Sequence, residues 1–252
     1  MNTKLRDTVI KVPEVTLMFW VIKIIATTLG ETGGDALSMS MDLGYLISSI
    51  IFLSIFATAV FIQIKARSYN PALYWTTIIT TTTLGTTLAD FATRSMHIGY
   101  SGGSILLFAL LIASLSIWYK SIGTIAVESI NTSKSETFYW ITIMFSQTLG
   151  TALGDWVADT SGLGYLGAAI IFSGLLLIVI SVYFWTRVSK TILFWSAFVL
   201  TRPLGAVLGD YLDKPLTQGG LALSRFSASA VLLVFIIVFV YYFSQRSAQK
   251  SH

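Results

Sequence analysis

FYWITIMFSQTLGTALGD, residues 138–155, opens on an aromatic pair, runs through apolar residues, hydroxyls and glycines, and closes on an aspartate. Trp140 is followed ten residues later by Gly150, fifteen later by Asp155 and twenty-four later by Gly164. The same spacing recurs without a gap as Trp20, Gly30, Asp35, Gly44, as Trp75, Gly85, Asp90, Gly99, and as Trp195, Gly205, Asp210, Gly219. Successive tryptophans lie 55, 65 and 55 residues apart, so one unit is repeated four times, in two halves separated by ten extra residues. Repetition at such a period sets the architecture before any single residue does.

Composition places that architecture in a membrane. The 252 residues are 54% hydrophobic and 11% charged, with a mean hydropathy of +0.76, whereas about a quarter of the residues of a soluble domain are charged. Each unit holds two apolar stretches of roughly 20 residues, the length an α-helix needs to cross about 30 Å of hydrocarbon. Eight spans are expected, near 15–38, 44–65, 71–93, 99–120, 137–158, 163–186, 190–212 and 220–244. Strand alternation is absent, so the fold class is an all-α polytopic membrane bundle. It forms one integral membrane domain with repeats at 13–67, 68–120, 133–187 and 188–245 and a linker at 121–132. The first span carries Lys23 and Glu31 and belongs to the repeat, which argues against a removable signal peptide.

An even number of spans per repeat gives every copy the same direction, hence a pseudo-fourfold axis along the membrane normal. LGYLISSIIF at 43–52 matches LGYLGAAIIF at 163–172, which adds a pseudo-twofold relation between halves. Lys4, Arg6, Lys11, Lys65, Arg67, Lys120, Lys134, Arg187, Lys190, Arg246 and Lys250 all fall at the ends and between repeats. The turns inside repeats carry only Arg94 and Lys214, so the positive-inside rule puts both termini in the cytoplasm. The net charge of +4 is this topological bias, and cations scattered over short loops speak against nucleic-acid binding. With no cysteine there is no disulfide or thiolate metal site, and two histidines, His97 and His252, do not suit a bis-histidine haem.

Positions 8, 11 and 15 after each Trp fall within about 40° of one another on a helix. This stripe reads Thr28, Glu31, Asp35, then Thr83, Thr86, Asp90, then Thr148, Thr151, Asp155, then Pro203, Ala206, Asp210. A second stripe, at positions 10 and 14, is Gly or Ala in every copy, the small-xxx-small pattern of closely packed membrane helices. A carboxylate at membrane depth costs on the order of 2.5–3.5 kcal/mol, so four at equivalent positions point to an ion or proton site. Glu31, Asp35, Asp90, Asp155 and Asp210 are the expected metal ligands or proton carriers, with the threonines as neutral oxygens. Oxygen donors of this kind suit hard cations. The plainer alternative is that each Asp bonds backbone amides or water at its helix end.

The copies depart from symmetry at Lys23 and Glu31 in the first and at Arg202, Pro203 and Arg225 in the fourth. Five interior carboxylates against Lys23, Arg202 and Arg225 leave a surplus of minus two, which suits one divalent cation or two protons. Equally, those cations can pair with carboxylates where the ring closes. Pro203 is expected to kink or open the seventh helix. Trp20, Trp75, Trp140 and Trp195, each after a Phe or Tyr, are expected in an interfacial aromatic belt, with gating or a cation–π site as the other use. Asp42, Arg94, His97, Asp159, Asp213 and Lys214 are expected to be solvated turn residues.

KVPEVTLMFWVIKIIATTLGET at 11–32, FYWITIMFSQTLGTALGD at 138–155 and FWSAFVLTRPLGAVLGD at 194–210 resemble the bacterial uncharacterised membrane-anchored proteins built from a tandem repeat of unknown function. The resemblance implies the eight-span architecture and the bacterial inner membrane, and brings no activity with it. The residues themselves favour a transporter or channel for a cation, divalent or proton-coupled, with no cofactor beyond a bound metal cation. The alternatives are transport of an anion or acidic metabolite held by Arg202, Arg225 and Lys23, or a purely structural membrane protein. Its expected partners are the bilayer and a small ion or solute, and homo-oligomerisation stays open. Gly-Asp pairs at 34–35, 154–155 and 209–210 superficially resemble intramembrane proteases. Four equivalent carboxylates do not make a differentiated dyad, so no enzyme is expected.

Overall fold

A computed structural model describes residues 10–96, 98–160, 162–243 and 246–248. Lys4, Arg6, His97, Lys250 and His252 lie outside the described residues. Eight long helices follow one another: α1 Leu17–Asp35, α2 Gly44–Lys65, α3 Pro71–Asp90, α4 Gly99–Ile122, α5 Ser133–Thr160, α6 Gly164–Trp185, α7 Lys190–Asp213 and α8 Arg225–Tyr242. No strand occurs among the described residues.

Local chemistry sets the starts and turns. Thr16 caps α1 by accepting from the Phe19 amide at 3.2 Å, and Asn70, followed by Pro71, caps α3 by accepting from Leu73 at 3.1 Å. After their aspartates, α1 and α3 widen into single π-helical turns, Ala36–Ser40 and Phe91–Ser95. The glycine twenty-four residues after each Trp takes a left-handed backbone, with φ of 72° at Gly44 and 82° at Gly219. A side chain would be strained there, which explains that element of the repeat.

The first helices form the interior. Helix α1 packs on α3 and α7, and α5 packs on the same two, closing a ring of four. The second helices lie outside and shifted by one copy: α2 on α3, α4 on α5, α6 on α7, and α8 back on α1. The register is the same at each interface. A Cβ at Gly30 would collide with Thr82, at Gly85 with Gln147, at Gly150 with Arg202 and at Gly205 with Thr27. In every case the glycine of one copy receives the residue seven after the Trp of the next, so the backbones approach closely.

Five helices, α2, α4, α6, α7 and α8, are long and apolar enough to cross a membrane. The three that fall short, α1, α3 and α5, carry the hydroxyls and carboxylates and are screened by the outer helices. Those outer helices expose Ile50, Phe61, Ile105, Phe108, Ile170 and Phe235, the surface a bilayer requires.

Three expectations are corrected. Helix α7 continues through Pro203 and is not opened there, and the pyrrolidine ring packs where Gly150 of α5 has no side chain. Helix α8 begins at Arg225 and not near 220, since residues 221–223 fold back to donate to Tyr211, Lys214 and Leu212 carbonyls at 2.8–2.9 Å. Arg225 therefore stands at the mouth of its span and not within it. Three of the four repeat tryptophans, finally, do not face lipid, and Trp20 is half-buried. Trp75, Trp140 and Trp195 are buried in a plug whose rings contact around the bundle. Phe19 meets Trp75 at 5.6 Å, Tyr74 meets Trp140 at 5.6 Å, Tyr139 meets Trp195 at 6.2 Å and Phe194 meets Trp20 at 5.7 Å. Burying so much aromatic area inside outweighs the weaker interfacial preference.

Residues 10–14 and 246–248 come together under this plug. Glu14 and Arg246 are joined by a 2.9 Å backbone bond, as are Ala248 and Val12. Lys11 reaches Glu136 at 2.7 Å and caps the α2 carbonyls of Gln63 and Ile64 at 3.0 and 2.9 Å.

Candidate functional site

The four repeat aspartates sit in one layer at the end of the ring opposite the plug, at the last turns of the first helices. All four are buried. They are held in two pairs, each by a cation nineteen residues after a Trp. Lys214 Nζ lies 2.7 Å from Asp35 Oδ2 and 3.0 Å from Asp210 Oδ1. Arg94 Nε lies 2.8 Å from Asp90 Oδ1, and its NH2 lies 3.3 Å from Asp155 Oδ2. Each cation thus grips its own copy's aspartate at i−4 and that of the next copy in the ring. The corresponding residues of the other two copies are Met39 and Asp159, and Asp159 accepts from Tyr100 at 2.6 Å. The layer is therefore twofold in its chemistry even though the helices repeat fourfold.

Arg94 and Lys214, expected as solvated turn residues, are thus parts of the site. Burial alone would lower the Lys214 pKa, but the Asp210 and Asp35 carboxylates outweigh it and hold the group above the ordinary lysine range. The same balance against Asp90 and Asp155 raises Arg94. Asp213 joins them, accepting from Arg225 Nε at 2.9 Å, while Arg225 NH2 stands 3.7 Å from Asp35. Six buried carboxylates now stand against five cations, Lys23, Arg94, Arg202, Lys214 and Arg225. The negative surplus falls from two to one, because Arg94 and Lys214 join the interior and Asp213 comes with them.

One turn deeper lies Glu31. Its Oε2 is 3.0 Å from Arg202 NH1, and Arg202 NH2 donates to Thr86 Oγ1 at 2.7 Å. Arg202 also reaches the carbonyls of Thr27 and Thr82, both at 3.4 Å, so a side chain rooted on α7 spans the ring to α1 and α3. Around it the side chains seven residues after each Trp, Thr27, Thr82, Gln147 and Arg202, form a fully buried layer. Both amide atoms of Gln147, the Oγ of neighbouring Ser146 and Nε of Arg202 have no hydrogen-bond partner among the described residues. Buried polar atoms left so cost about 1–3 kcal/mol each. Lys23 lies deeper still. It donates to Thr201 Oγ1 at 2.8 Å and sits 3.8 Å over the Phe198 ring, and it has no carboxylate partner among the described residues.

The threonines divide. Thr86 joins the Glu31–Arg202 group, but the Thr28, Thr83 and Thr148 hydroxyls donate to their own helices at Ile24, Ile79 and Met144. Thr151 makes only a 3.5 Å approach to the Gln147 carbonyl. Position 7, not position 8, carries the inward chemistry. The signal that pointed to it was in the sequence: Gln147 and Arg202 replace the Thr of the other two copies at one repeat position. The five expected metal ligands divide as well. Glu31, Asp35 and Asp210 offer oxygens within 4.8 Å of one another, whereas Asp90 and Asp155 are held apart from them by Arg94.

Above the aspartate layer opens a cavity of about 740 Å³. Arg94, Lys214 and Arg225 line it with Met39, Tyr45, Tyr165, Gln218 and one carboxylate, Asp159. Side-chain exposure is 35% for Arg94 and 20% for Arg225 against 1–4% for the repeat aspartates. A solute entering this vestibule therefore meets Arg94, Arg225 and the exposed Asp159 before it meets the repeat aspartates.

A family model described as a Repeat of Unknown Function, DUF347, matches residues 18–69, 73–124, 138–189 and 193–247. No curated protein and no solved structure matches the chain.

Proposed function

The chain belongs to the family defined by this repeat, DUF347, and from that premise we propose that it is a membrane transporter which admits a small acidic solute through the vestibule. The observation that carries this reading is the set of three cations, Arg94, Lys214 and Arg225, at the mouth of a polar column whose aspartates lie beneath them. The cavity's volume falls within the roughly 300–1,000 Å³ of organic-ligand sites and far exceeds what a bare ion needs. Binding works by exchange of ion pairs. The carboxylate of the solute competes with Asp35 and Asp210 for Lys214, and with Asp90 and Asp155 for Arg94. A buried carboxylate that loses its cation is neutralised by a proton, so solute and proton enter the column together. On the topology that the loop charges favour, the vestibule faces outward and the aromatic plug closes the cytoplasmic end of a bacterial inner-membrane protein.

A second reading, transport of a cation, is supported by the Glu31, Asp35 and Asp210 oxygens within 4.8 Å of one another. There Lys214 is a tethered ammonium standing where a mobile cation would bind. One variant separates the two. Lys214→Met removes an anion-binding group in the first reading and vacates a cation site in the second. Thermal shifts of the detergent-purified protein with lactate and with Mg²⁺ or Ca²⁺ decide. Loss of a lactate shift supports the acidic solute. A newly gained cation shift supports the alternative, and wild-type protein indifferent to both lactate and cations ends the transport proposal in either form.

A further inference from the structure

We infer that the bundle holds a second, deeper station for the solute, formed by Arg202 and Gln147, which recognises a carboxylate with a hydrogen-bond donor beside it. This rests on the acidic-solute reading of the vestibule and adds a selectivity that the vestibule does not provide. Arg202 and Gln147 occupy the same repeat position on adjacent helices, α7 and α5, and both are fully buried. Arg202 crosses the ring to the Thr27 and Thr82 carbonyls, and the backbone and Cβ of Gln147 are pressed against Gly85 of α3. Both side chains therefore belong to the layer that closes the ring's interior below Glu31.

Their unspent hydrogen-bonding capacity defines the guest. Among the described residues, Arg202 Nε and Gln147 Nε2 are buried donors without an acceptor, and Gln147 Oε1 is a buried acceptor without a donor. At equivalent positions, Thr27 satisfies its hydroxyl on the Ile24 and Thr201 carbonyls, and Thr82 on those of Ile79 and Ala26. Of the four residues at this repeat position, only the two that break the repeat keep unsatisfied atoms among the described residues, in a region where lipid supplies no partner. Two donors suit the two oxygens of a carboxylate, and the remaining acceptor suits a hydroxyl or ammonium on the neighbouring carbon. The substrate class is thus a small 2-hydroxy or 2-amino acid. Arg202 already holds Glu31 at 3.0 Å, so the same pair exchange that admits the solute above operates here.

Lactate and propionate, which differ in that one hydroxyl, test the station by thermal shift on wild type, Gln147→Leu and the near-isosteric Gln147→Met. Wild type should be half-saturated by lactate at a concentration roughly fivefold to tenfold lower than by propionate, the worth of one hydrogen bond. Both variants should lose that preference while still shifting with either acid, because the vestibule is untouched. An unchanged lactate preference in Gln147→Met, or equal affinity for both acids in wild type, overturns the inner station and leaves the vestibule reading standing. Absence of any shift with either acid in wild type overturns both.

Discussion

Lys214 Nζ lies 2.7 Å from Asp35 Oδ2, joining residues 179 positions apart and tying the turn after the seventh helix to the end of the first. Asp210 shares the same ammonium at 3.0 Å, so this contact helps the fourth copy close on the first. Lys214→Met removes the cation that Asp210 pairs with and leaves Asp35 only Arg225 at 3.7 Å, and breaking a buried pair costs about 3–5 kcal/mol. The variant should melt well below wild type at neutral pH, and Asp35→Asn in the same background should recover part of the loss. A Lys214→Met protein as stable as wild type would show that the ion pair does not hold the ring.

Arg94 performs the matching task between the second and third copies, yet its side chain is 35% exposed against 10% for Lys214. Water screens the exposed pair and reaches its aspartates more readily. Arg94→Gln is therefore expected to lower the melting temperature less than Lys214→Met. Parallel thermal denaturation of the two variants checks the order, and a reversed order would contradict the assignment.

Close helix approach is tested at Gly150, where a Cβ would collide with Arg202 and touch the Pro203 ring. Gly150→Ala should destabilise by about 1–3 kcal/mol through overpacking. Gly174 on α6 has nothing within 4 Å of a Cβ, so Gly174→Ala should be neutral or gain about 0.5–1 kcal/mol of helix stability. Equal effects at the two sites would refute the close-packed ring.

The segments 10–14 and 246–248 are fastened by Lys11, which pairs with Glu136 at 2.7 Å and bonds the end of α2. Lys11→Ala should release residues 10–14 and 246–248 together, since their backbone bonds join Val12 to Ala248 and Glu14 to Arg246. Hydrogen exchange at the Glu14 and Ala248 amides reads this directly. Both should accelerate while amides within α3 and α5 stay protected.

The four Trp–Gly–Asp–Gly units were legible as residues alone, and with them the all-α class, the two-helix repeat and the glycine-lined contacts between first helices. Those features follow from periodicity, which depends on chain geometry that every copy shares. The inward face was harder to read. Positions 7 and 8 differ by about 100° on a helix, and both carry Thr in the first two copies. Only the ring contacts show that Thr28, Thr83 and Thr148 turn back to their own carbonyls while Gln147 and Arg202 enter the interior. The aromatic residues were misplaced for a related reason, because sequence position puts a Trp near a helix end without saying whether lipid or protein surrounds it.

By itself, the sequence determined that four equivalent helices must each bring a carboxylate to one level of a membrane bundle. Tertiary structure alone decided what neutralises those carboxylates. Arg94 and Lys214 look like solvated turn residues because, beyond the aspartates four positions before them, their second partners Asp155 and Asp35 lie 61 and 179 positions away, and a long flexible cation spends its charge on whatever the fold brings within reach.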